Sequence, residues 1–311
     1  VSAVNDAPVL AAADATLTSI SEDDTANAGQ LVSALRGATT DADSGAVEGV
    51  AITGLDAGNG SWQYSTDGGT SWTQVKTGEH WDIKFKPGDD SVVYASSGTA
   101  IFYSTQGGRS GTWLTATTDF SVTGAGRIEL AVSAANPNYV YALGGATPAA
   151  GQFTGIFRST NSGISYTRRC NTPNILGSEE NGLDGNNQGA YDLGITAKPT
   201  DAEYVATCGL NVWVSNGSNG GSSMVWSTKY REGYAGAANK YIHPDVHAVA
   251  YNPLNNYLYA GTDGGIYRST DDGTSWTNLT NNLITTQFYG LAMRDADADG
   301  EGNGVGFLAG A

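Results

Sequence analysis

Four polar residues stand in four short apolar segments of the chain, and each segment ends before a proline. They are Asp82, Glu129, Asp192 and His247. Aligned around one axis, they would form a ring of three carboxylates and one imidazole. Close carboxylates raise one another's pKa, which can yield an acid and a base for catalysis, and such a ring could equally hold a cation or a polar ligand. The alternative is that these positions are polar only because they touch water in a channel.

Aromatic and imidazole side chains beside this ring extend its possible chemistry. Trp81 and Tyr191 precede two of the ring residues and would offer flat surfaces for stacking a ligand. His243, Asp245 and His247 alternate along the chain, so on an extended strand all three would face one way and could bind one metal. The proline between the first two favours a loop, and a hydrogen-bonded turn is the competing interpretation.

The segments that carry these residues belong to a repeat. Each repeat has a first strand closed by a proline, a polar turn, a second strand, a third strand, and a glycine turn that leads to an aromatic residue. The closing prolines Pro87, Pro137, Pro199 and Pro253 step by 50, 62 and 54 residues. A period of about 50 residues is typical of β-propellers with one four-stranded sheet, or blade, in each repeat. The sequence therefore predicts an all-β propeller of about five blades, with repeats near 80–113, 127–166, 190–226 and 246–276.

Composition agrees with short strands and tight turns and excludes several functions. Of 311 residues, 40% are hydrophobic, only 15% are charged and 43 are glycine, which favours strands and turns over helices. The net charge of −16 has the wrong sign for binding phosphates, so neither nucleic acid nor anionic lipid is an expected partner. No apolar stretch is long enough for membrane insertion, and a signal peptide is expected to be absent or already removed.

The two cysteines give little information about redox chemistry. Cys170 and Cys208 lack the spacing of a zinc site or of a thioredoxin-type motif. They could pair in an oxidising compartment, or they could be two small buried apolar residues, and both interpretations stay open.

The turn between the third and fourth strands of a repeat has its own signature. Residues 269–276 read Ser-Thr-Asp-Asp-Gly-Thr-Ser-Trp, residues 65–72 read Ser-Thr-Asp-Gly-Gly-Thr-Ser-Trp, and residues 159–166 match with Asn161 and Tyr166 in the Asp and Trp places. In such a turn the Asp or Asn side chain accepts backbone N–H bonds, glycine takes the positive φ, and the aromatic residue fills the gap between sheets.

These turns resemble the Asp-boxes of bacterial-neuraminidase-type repeats. Such repeats occur in sialidases, xyloglucanase-type glycosidases, sortilin-like receptors and many secreted bacterial proteins. In those families the Asp-box is structural, so the resemblance implies no catalytic role for the Asp or Asn of any box. It implies a β-propeller and an extracellular setting.

Residues 1–49 differ from the propeller segment, residues 50–311. The segment 4–9, Val-Asn-Asp-Ala-Pro-Val, resembles the linker of cadherin-like repeats in large bacterial adhesins. The acidic turn around Asp41 and Asp43 resembles the calcium-binding turns of those repeats. The resemblance implies Ca²⁺ at these residues, since clustered carboxylate oxygens suit that ion.

The two ends of the propeller segment offer the strands of one further blade. Residues 287–311 supply a first and a second strand, and residues 50–75 supply a third and a fourth. If they share a blade, the ring closes with five blades and leaves no exposed edge; the alternative is a fragment of a larger propeller. Between the last two strands, Asp295, Asp297 and Asp299 copy the first half of an EF-hand loop and are expected to bind calcium or to form a solvated acidic turn.

We therefore interpret the chain as a secreted or cell-surface bacterial protein that binds without catalysis. Its expected partners are glycans, extracellular surface proteins, or other components of an extracellular assembly, and its expected ligand site is the channel ring with Trp81 and Tyr191. The alternative is a glycoside hydrolase of xyloglucanase type, in which Asp82, Glu129 and Asp192 supply the two carboxylates that cleavage requires. A sialidase is not expected, because the chain has few arginines and lacks the Phe-Arg-Ile-Pro motif.

Calcium bound at either acidic cluster would contribute to stability. We expect chelation with EGTA to lower the midpoint temperature of thermal unfolding, because a ligand that binds only the folded chain stabilises it. Scanning calorimetry with EGTA, with and without an excess of added Ca²⁺, measures the effect. A midpoint that EGTA leaves unchanged contradicts stabilisation by calcium.

Overall fold

The computed structural model is built of β-strands. It describes residues 63–64, 73–118, 126–145, 153–179, 181–185, 188–229, 239–281, 290–293 and 307–310, and no α-helix lies among them. An N-terminal hairpin consists of β1 (Gln63–Tyr64) and β2 (Thr73–Gln74). Blade 1 consists of β3 (Asp82–Lys86), β4 (Asp89–Ser96), β5 (Ile101–Ser104) and β6 (Leu114–Thr115), and a short strand β7 (Thr117–Thr118) follows it. Blade 2 consists of β8 (Arg127–Val132), β9 (Val140–Gly145), β10 (Gly155–Ser159) and β11 (Ser165–Cys170).

Two more blades and a second hairpin complete the described chain. Blade 3 consists of β12 (Gly194–Ala197), β13 (Val205–Cys208), β14 (Val212–Ser215) and β15 (Met224–Trp226). Blade 4 consists of β16 (Val246–Tyr251), β17 (Leu258–Thr262), β18 (Gly265–Ser269) and β19 (Thr277–Asn278). The C-terminal hairpin consists of β20 (Gly290–Met293) and β21 (Phe307–Gly310).

The four blades share one topology. In each, the strands pair antiparallel in chain order, and blade 2 is wider because β7 pairs in parallel with β11, placing Thr117 opposite Ser165. The first strands lie side by side: β8 contacts β3 and β12, and β12 contacts β16. The predicted fold, a β-propeller of four-stranded blades, is confirmed.

The hydrophobic core lies between the blades. Successive residues of a strand point to opposite faces, so β9 directs Val140 and Ala142 toward blade 1, and Tyr141 and Leu143 toward blade 3. A third apolar cluster fills the space between blades 3 and 4. Each blade therefore buries its faces only by packing against its neighbours.

Hydrogen bonds fix the turn between the third and fourth strands, and its aspartate accepts a backbone N–H as the sequence predicts. Ser269 Oγ accepts the N–H of Asp271 at 3.3 Å and that of Gly273 at 2.7 Å, and Asp271 Oδ1 accepts the N–H of Ser275 at 2.8 Å. The turn over 159–166 repeats these contacts with Asn in the Asp place. The matching turn near the N-terminal hairpin lies outside the described residues.

The glycine and the aromatic residue of each turn pack on the preceding blade. Trp276 is buried, and its Nε1 donates to Ser227 Oγ of blade 3 at 3.0 Å. A Cβ at Gly273 would lie 2.6 Å from that same Oγ, and a Cβ at Gly163 would lie 2.6 Å from Tyr94 Cε1 of blade 1. The turns therefore close the gaps between adjacent sheets, and these two positions leave no room for a side chain.

Polar contacts reinforce the same gaps near the closing prolines. Lys86 of blade 1 donates to Ser162 Oγ of blade 2 at 3.0 Å, and Lys198 of blade 3 lies 2.6 Å from Asp272 Oδ2 of blade 4. Ser162 and Asp272 occupy the same place in their turns, each with a φ of 57°. Two of the three described gaps between blades thus use one repeated lysine contact.

The terminal regions leave several predictions undecided. Among the described residues the two hairpins form separate two-stranded sheets, so a fifth blade shared by residues 50–75 and 287–311 stays a prediction. Residues 1–49 lie outside the described part of the chain. The calcium candidates Asp41, Asp43, Asp295, Asp297 and Asp299 lie outside it as well.

Two further sequence questions are answered within the described residues. Cys170 and Cys208 are free thiols, and burial raises the pKa of both. None of the described segments forms a helix long and apolar enough to cross a bilayer.

Alanine substitutions at two turn glycines separate backbone strain from packing. Gly163 and Gly217 have φ values of 75° and 78°, but nothing lies within 4 Å of a Cβ placed at Gly217. We expect Gly217→Ala to cost about 1–2 kcal/mol through the left-handed backbone. Gly163→Ala is expected to cost about 1–3 kcal/mol more, because the new methyl group overlaps Tyr94. Urea unfolding followed by tryptophan fluorescence measures both, and equal losses would show that the turn does not pack tightly on blade 1.

Candidate functional site

A channel lies between the first strands of the blades. Its volume is about 930 Å³, and its wall consists of β3, β8, β12, β16 and the residues just before them. Polar and aromatic side chains line the end where these strands begin, which we call the channel mouth: Trp81, Asp82, Arg127, Glu129, Tyr191 and His247. Apolar side chains line the end where the strands finish: Phe85, Pro87, Val132, Ala197 and Ala250.

Strand pairing shows which of the four predicted ring residues correspond. At the second strands the chain has the matching sequences VVYA (92–95), YVYA (139–142), YVAT (204–207) and YLYA (257–260). The residues that pair with the last positions of these sequences are Ile83, Leu130, Ile195 and Val249. The residues directly before them are Asp82, Glu129, Gly194 and Ala248. The predicted equivalence is therefore wrong for Asp192 and His247. Asp192 lies two residues before the matching position, Gly194. His247 lies between Val246 and Ala248, where the pairing register of β16 with β17 shifts.

Asp82 connects the first two blades. Its side chain is buried, and Oδ2 accepts the N–H of Leu130 in β8 at 2.8 Å. Oδ1 accepts the N–H of Ile83 at 2.7 Å and pairs with Lys84 Nζ at 2.5 Å. One of these three donors belongs to β8 and two belong to β3, so the Asp82 carboxylate links β3 to β8.

Glu129 and Arg127 form a second pair at the mouth. Arg127 Nε donates to Glu129 Oε1 at 2.8 Å, and both side chains lie on one face of β8 because they are two residues apart. Burial, with a smaller contribution from Asp82, raises the pKa of Glu129 to about 8, although Arg127 opposes the shift. The raised pKa favours the protonated form of Glu129, which is the form that can donate a hydrogen bond.

Arg127 also reaches the next blade. Its guanidinium donates to the carbonyl oxygen of Tyr191 at 2.7 Å and to that of Leu193 at 3.4 Å. The same guanidinium lies 5.6 Å from the centre of the Trp81 ring. Sequence reasoning missed this residue. The sequence did contain a signal for it, because Arg127 stands two residues before Glu129 and therefore lies on the same face of the strand.

His247 lies between two carboxylates. Its Nδ1 lies 3.1 Å from Asp192 Oδ1 and its Nε2 lies 2.7 Å from Asp263 Oδ1. Asp192 has no exposed side-chain surface, and burial raises its pKa to about 7; His247 lowers this pKa and Asp245 raises it. Asp192 is therefore beneath the channel wall rather than in the channel, and Asp263 is a neighbour that the sequence pattern did not indicate.

Tyr191 is the most exposed aromatic residue among those described at the mouth. Its side chain is 66% exposed, and its ring meets the His247 ring edge-on with 5.0 Å between centres. Contacts thus run across all four described blades, from Trp81 to Arg127, on to Tyr191, and then to His247.

A metal site at His243, Asp245 and His247, one of the two interpretations that the sequence left open, does not form. Among the described residues, no three His, Cys, Asp or Glu side chains converge in a way that could hold a metal ion. His243 Nδ1 instead lies 2.9 Å from the Pro244 carbonyl, and Asp245 has a φ of 60°. The competing interpretation, a hydrogen-bonded turn, is the correct one.

Comparisons with known proteins give a fold-level likeness only. No protein-family model and no curated protein matches the chain. Among solved structures it is similar to the Niastella koreensis GH74 enzyme, at 19% identity and a TM-score of 0.42, over 63% of this chain and 29% of that one. It is similar to an ancestral GH74 enzyme at 20% identity and 0.43, over 70% and 29% of the chains. YCF48 from Cyanidioschyzon merolae matches at 15% identity and 0.40, over 64% and 55%.

This chain spans less than a third of the length of either GH74 enzyme. At these identities and TM-scores, the likeness does not extend to activity. The function has to follow from the channel mouth itself.

The raised pKa of Glu129 gives a prediction for stability. Between about pH 4.5 and 8 the folded chain holds a proton on Glu129 that the unfolded chain releases, so the free energy of unfolding falls as the pH rises through this window. We expect Glu129→Gln to make this fall less steep, because glutamine does not titrate. Urea unfolding across the window, with exposed Glu79→Gln as the matched control, measures the slope. If the free energy of unfolding falls equally steeply with pH in Glu129→Gln and in Glu79→Gln, Glu129 is ionised in the folded protein.

Proposed function

We propose that the chain is an extracellular binding protein that takes a glycan at the channel mouth without cleaving it. The observation that carries this proposal is the exposed Tyr191 ring at a mouth that also presents Trp81, Arg127 and Glu129. Aromatic faces stack on the C–H faces of sugars, and hydrogen-bonding groups beside them contact the hydroxyls. The acidic, lysine-poor composition supports a location outside the cell.

The state of the carboxylates favours binding over catalysis. Asp82 accepts three donors, and Asp192 has no exposed surface, so neither is placed to attack a substrate or to activate water. Cleavage of a glycosidic bond requires two carboxyl groups facing the sugar from opposite sides. Only Glu129 among the predicted three combines a place on the channel wall with a pKa raised toward that of a general acid.

The charges at the mouth indicate which glycans fit. Lys84 and Arg127 lie on the channel wall of a chain whose net charge is −16, and Asp82 neutralises one of them. Lys84 pairs with Asp82 and Arg127 pairs with Glu129, so these four side chains carry no net negative charge even when Glu129 is ionised. We therefore expect it to accept neutral sugars and not to repel acidic ones.

One observation supports a second candidate function, hydrolysis of a glycoside. Asp82 and Glu129 share the same register on adjacent first strands, and the pKa of Glu129 is raised to about 8, as is typical of a general acid. A glycoside hydrolase would use Glu129 to protonate the leaving oxygen. It would also require Asp82 to exchange its contacts with Lys84 and Leu130 for the substrate.

A variant of Tyr191 tests the binding proposal. On an array of neutral and acidic polysaccharides, we expect the wild-type chain to bind at least one glycan, and Tyr191→Ala to weaken that binding by about 1–3 kcal/mol through loss of the stacking surface. Leu254→Ala, at a position 92% exposed in the turn between β16 and β17, is the matched control and should bind as wild type does. The absence of any bound glycan, or equal binding by Tyr191→Ala, would reject the proposal.

Incubation of the chain with the glycan that it binds then distinguishes binding from hydrolysis. We expect no new reducing ends when the wild-type chain is incubated with it. Reducing ends that appear with wild type and disappear with Glu129→Gln would show that the chain is a hydrolase, whereas ends that appear with both would indicate a contaminating enzyme.

A further inference from the structure

We propose that Arg127 is a positioning residue of the channel mouth: from β8 in blade 2, its guanidinium holds Trp81 and Tyr191 of the two neighbouring blades in place for a glycan. This inference rests on the proposed binding function for its consequence. The hold on Tyr191 can nevertheless be tested without any ligand, so the two proposals can fail separately.

The shape of the Arg127 side chain suits this role. A guanidinium has five N–H donors in one rigid plane and a flat face for an aromatic ring, whereas a lysine offers one compact charge. Three of the donors are in use: Nε donates to Glu129 Oε1 at 2.8 Å, and the two terminal nitrogens donate to the carbonyl oxygens of Tyr191 at 2.7 Å and Leu193 at 3.4 Å. The guanidinium carbon lies 5.6 Å from the centre of the Trp81 ring. One rigid group therefore contacts parts of three blades.

The backbone that carries Arg127 is itself well fixed. Arg127 is the first residue of β8, it pairs with Gly145 of β9, and its side chain is only 20% exposed. Asp82 accepts the N–H of Leu130, which ties β8 to blade 1. Apolar clusters hold blade 2 against both of its neighbours. The guanidinium thus reaches out from a fixed point, and its contacts can set where the less regular segments at the mouth lie.

The segment before β12 is the part that needs this support. It forms a tight turn in which the Gln188 carbonyl oxygen accepts the N–H of Tyr191 at 2.7 Å and that of Asp192 at 2.8 Å. Leu193 is buried in the core, but Tyr191 is 66% exposed and gains little from packing. Its carbonyl contact with Arg127 connects it to blade 2. Loss of the guanidinium would therefore loosen this turn while the strands on either side stay in place.

The alternative is that Arg127 binds a charged group of the glycan directly. Arg127 is already paired with Glu129, and with three donors in use it has at most two N–H groups left for a ligand. A carboxylate or sulfate on the glycan would have to compete with these contacts. The two roles differ in their response to salt, because salt screens a contact between charges at an accessible site and does not screen stacking on an aromatic ring.

Amide hydrogen exchange of the full chain without ligand tests the hold on the segment. We expect Arg127→Lys and Arg127→Gln to speed exchange of the Tyr191 and Asp192 amides by roughly tenfold or more, because the turn opens locally, while the amides of β17 exchange as in wild type. Arg168→Lys, at an exposed position of β11, is the matched control and should change neither set of amides. Unchanged exchange at Tyr191 and Asp192 in Arg127→Lys, or an equal increase in β17, overturns the proposal.

For a glycan found on the array, affinity separates positioning from direct contact. We expect Arg127→Lys to bind about fivefold more weakly than wild type, as when the segment is in place in about a fifth of the molecules. The wild-type affinity should be equal at low and high salt. An affinity that Arg127→Lys keeps and that high salt weakens would show direct contact with a charged group, and would overturn the proposal. If no glycan binds, the binding function fails, and amide exchange still decides whether Arg127 holds the segment.

Discussion

The structure depends on apolar surface that no blade can bury alone. The second strand of blade 2 shows this directly, since Tyr141 and Leu143 pack toward blade 3 while their neighbours in sequence pack toward blade 1. Because the hydrophobic free energy scales with the area removed from water, each sheet gains its stability from the next sheet around the axis. The apolar cores between the blades, rather than the hydrogen bonds within each blade, therefore set the spacing of the first strands around the channel.

The channel mouth uses polar contacts across the same gaps. Asp82 joins β3 to β8, Arg127 joins β8 to the segment before β12, and His247 joins that segment to β16. The side chains that appear from the sequence to be free for chemistry are thus partly consumed by holding blades together. A ring of acidic residues at a channel therefore does not by itself indicate an active site. The exposed Tyr191 side chain is stronger evidence for a binding site than the buried Asp192 side chain is.

Sequence reasoning predicted the blades because their signals are local. An apolar strand before a proline, and a turn with serine, aspartate and glycine at fixed spacing, form their structure from neighbouring residues. Asp271 accepts the N–H of Ser275 and Gly273 has a positive φ, as expected. The site was predicted only in part. Asp82 and Glu129 share a register, but the displacement of Asp192 and His247 arises from an irregular segment before β12 and a register shift in β16, which only long-range packing determines. Asp263, a turn residue without any motif, could be recognised as a partner of His247 only in three dimensions.

The short strand β7 has a consequence for how this protein meets other molecules. An outermost strand normally presents unpaired N–H and C=O groups that can recruit a strand from another chain and start aggregation. In blade 2, Thr117 and Thr118 already pair with Ser165 and Tyr166, so part of that row of groups is occupied from within the same chain. The outermost strands of blades 1 and 4, β6 and β19, are only two residues long and offer little length for recruitment. The outer edges of blades 1, 2 and 4 therefore offer little for pairing with another copy.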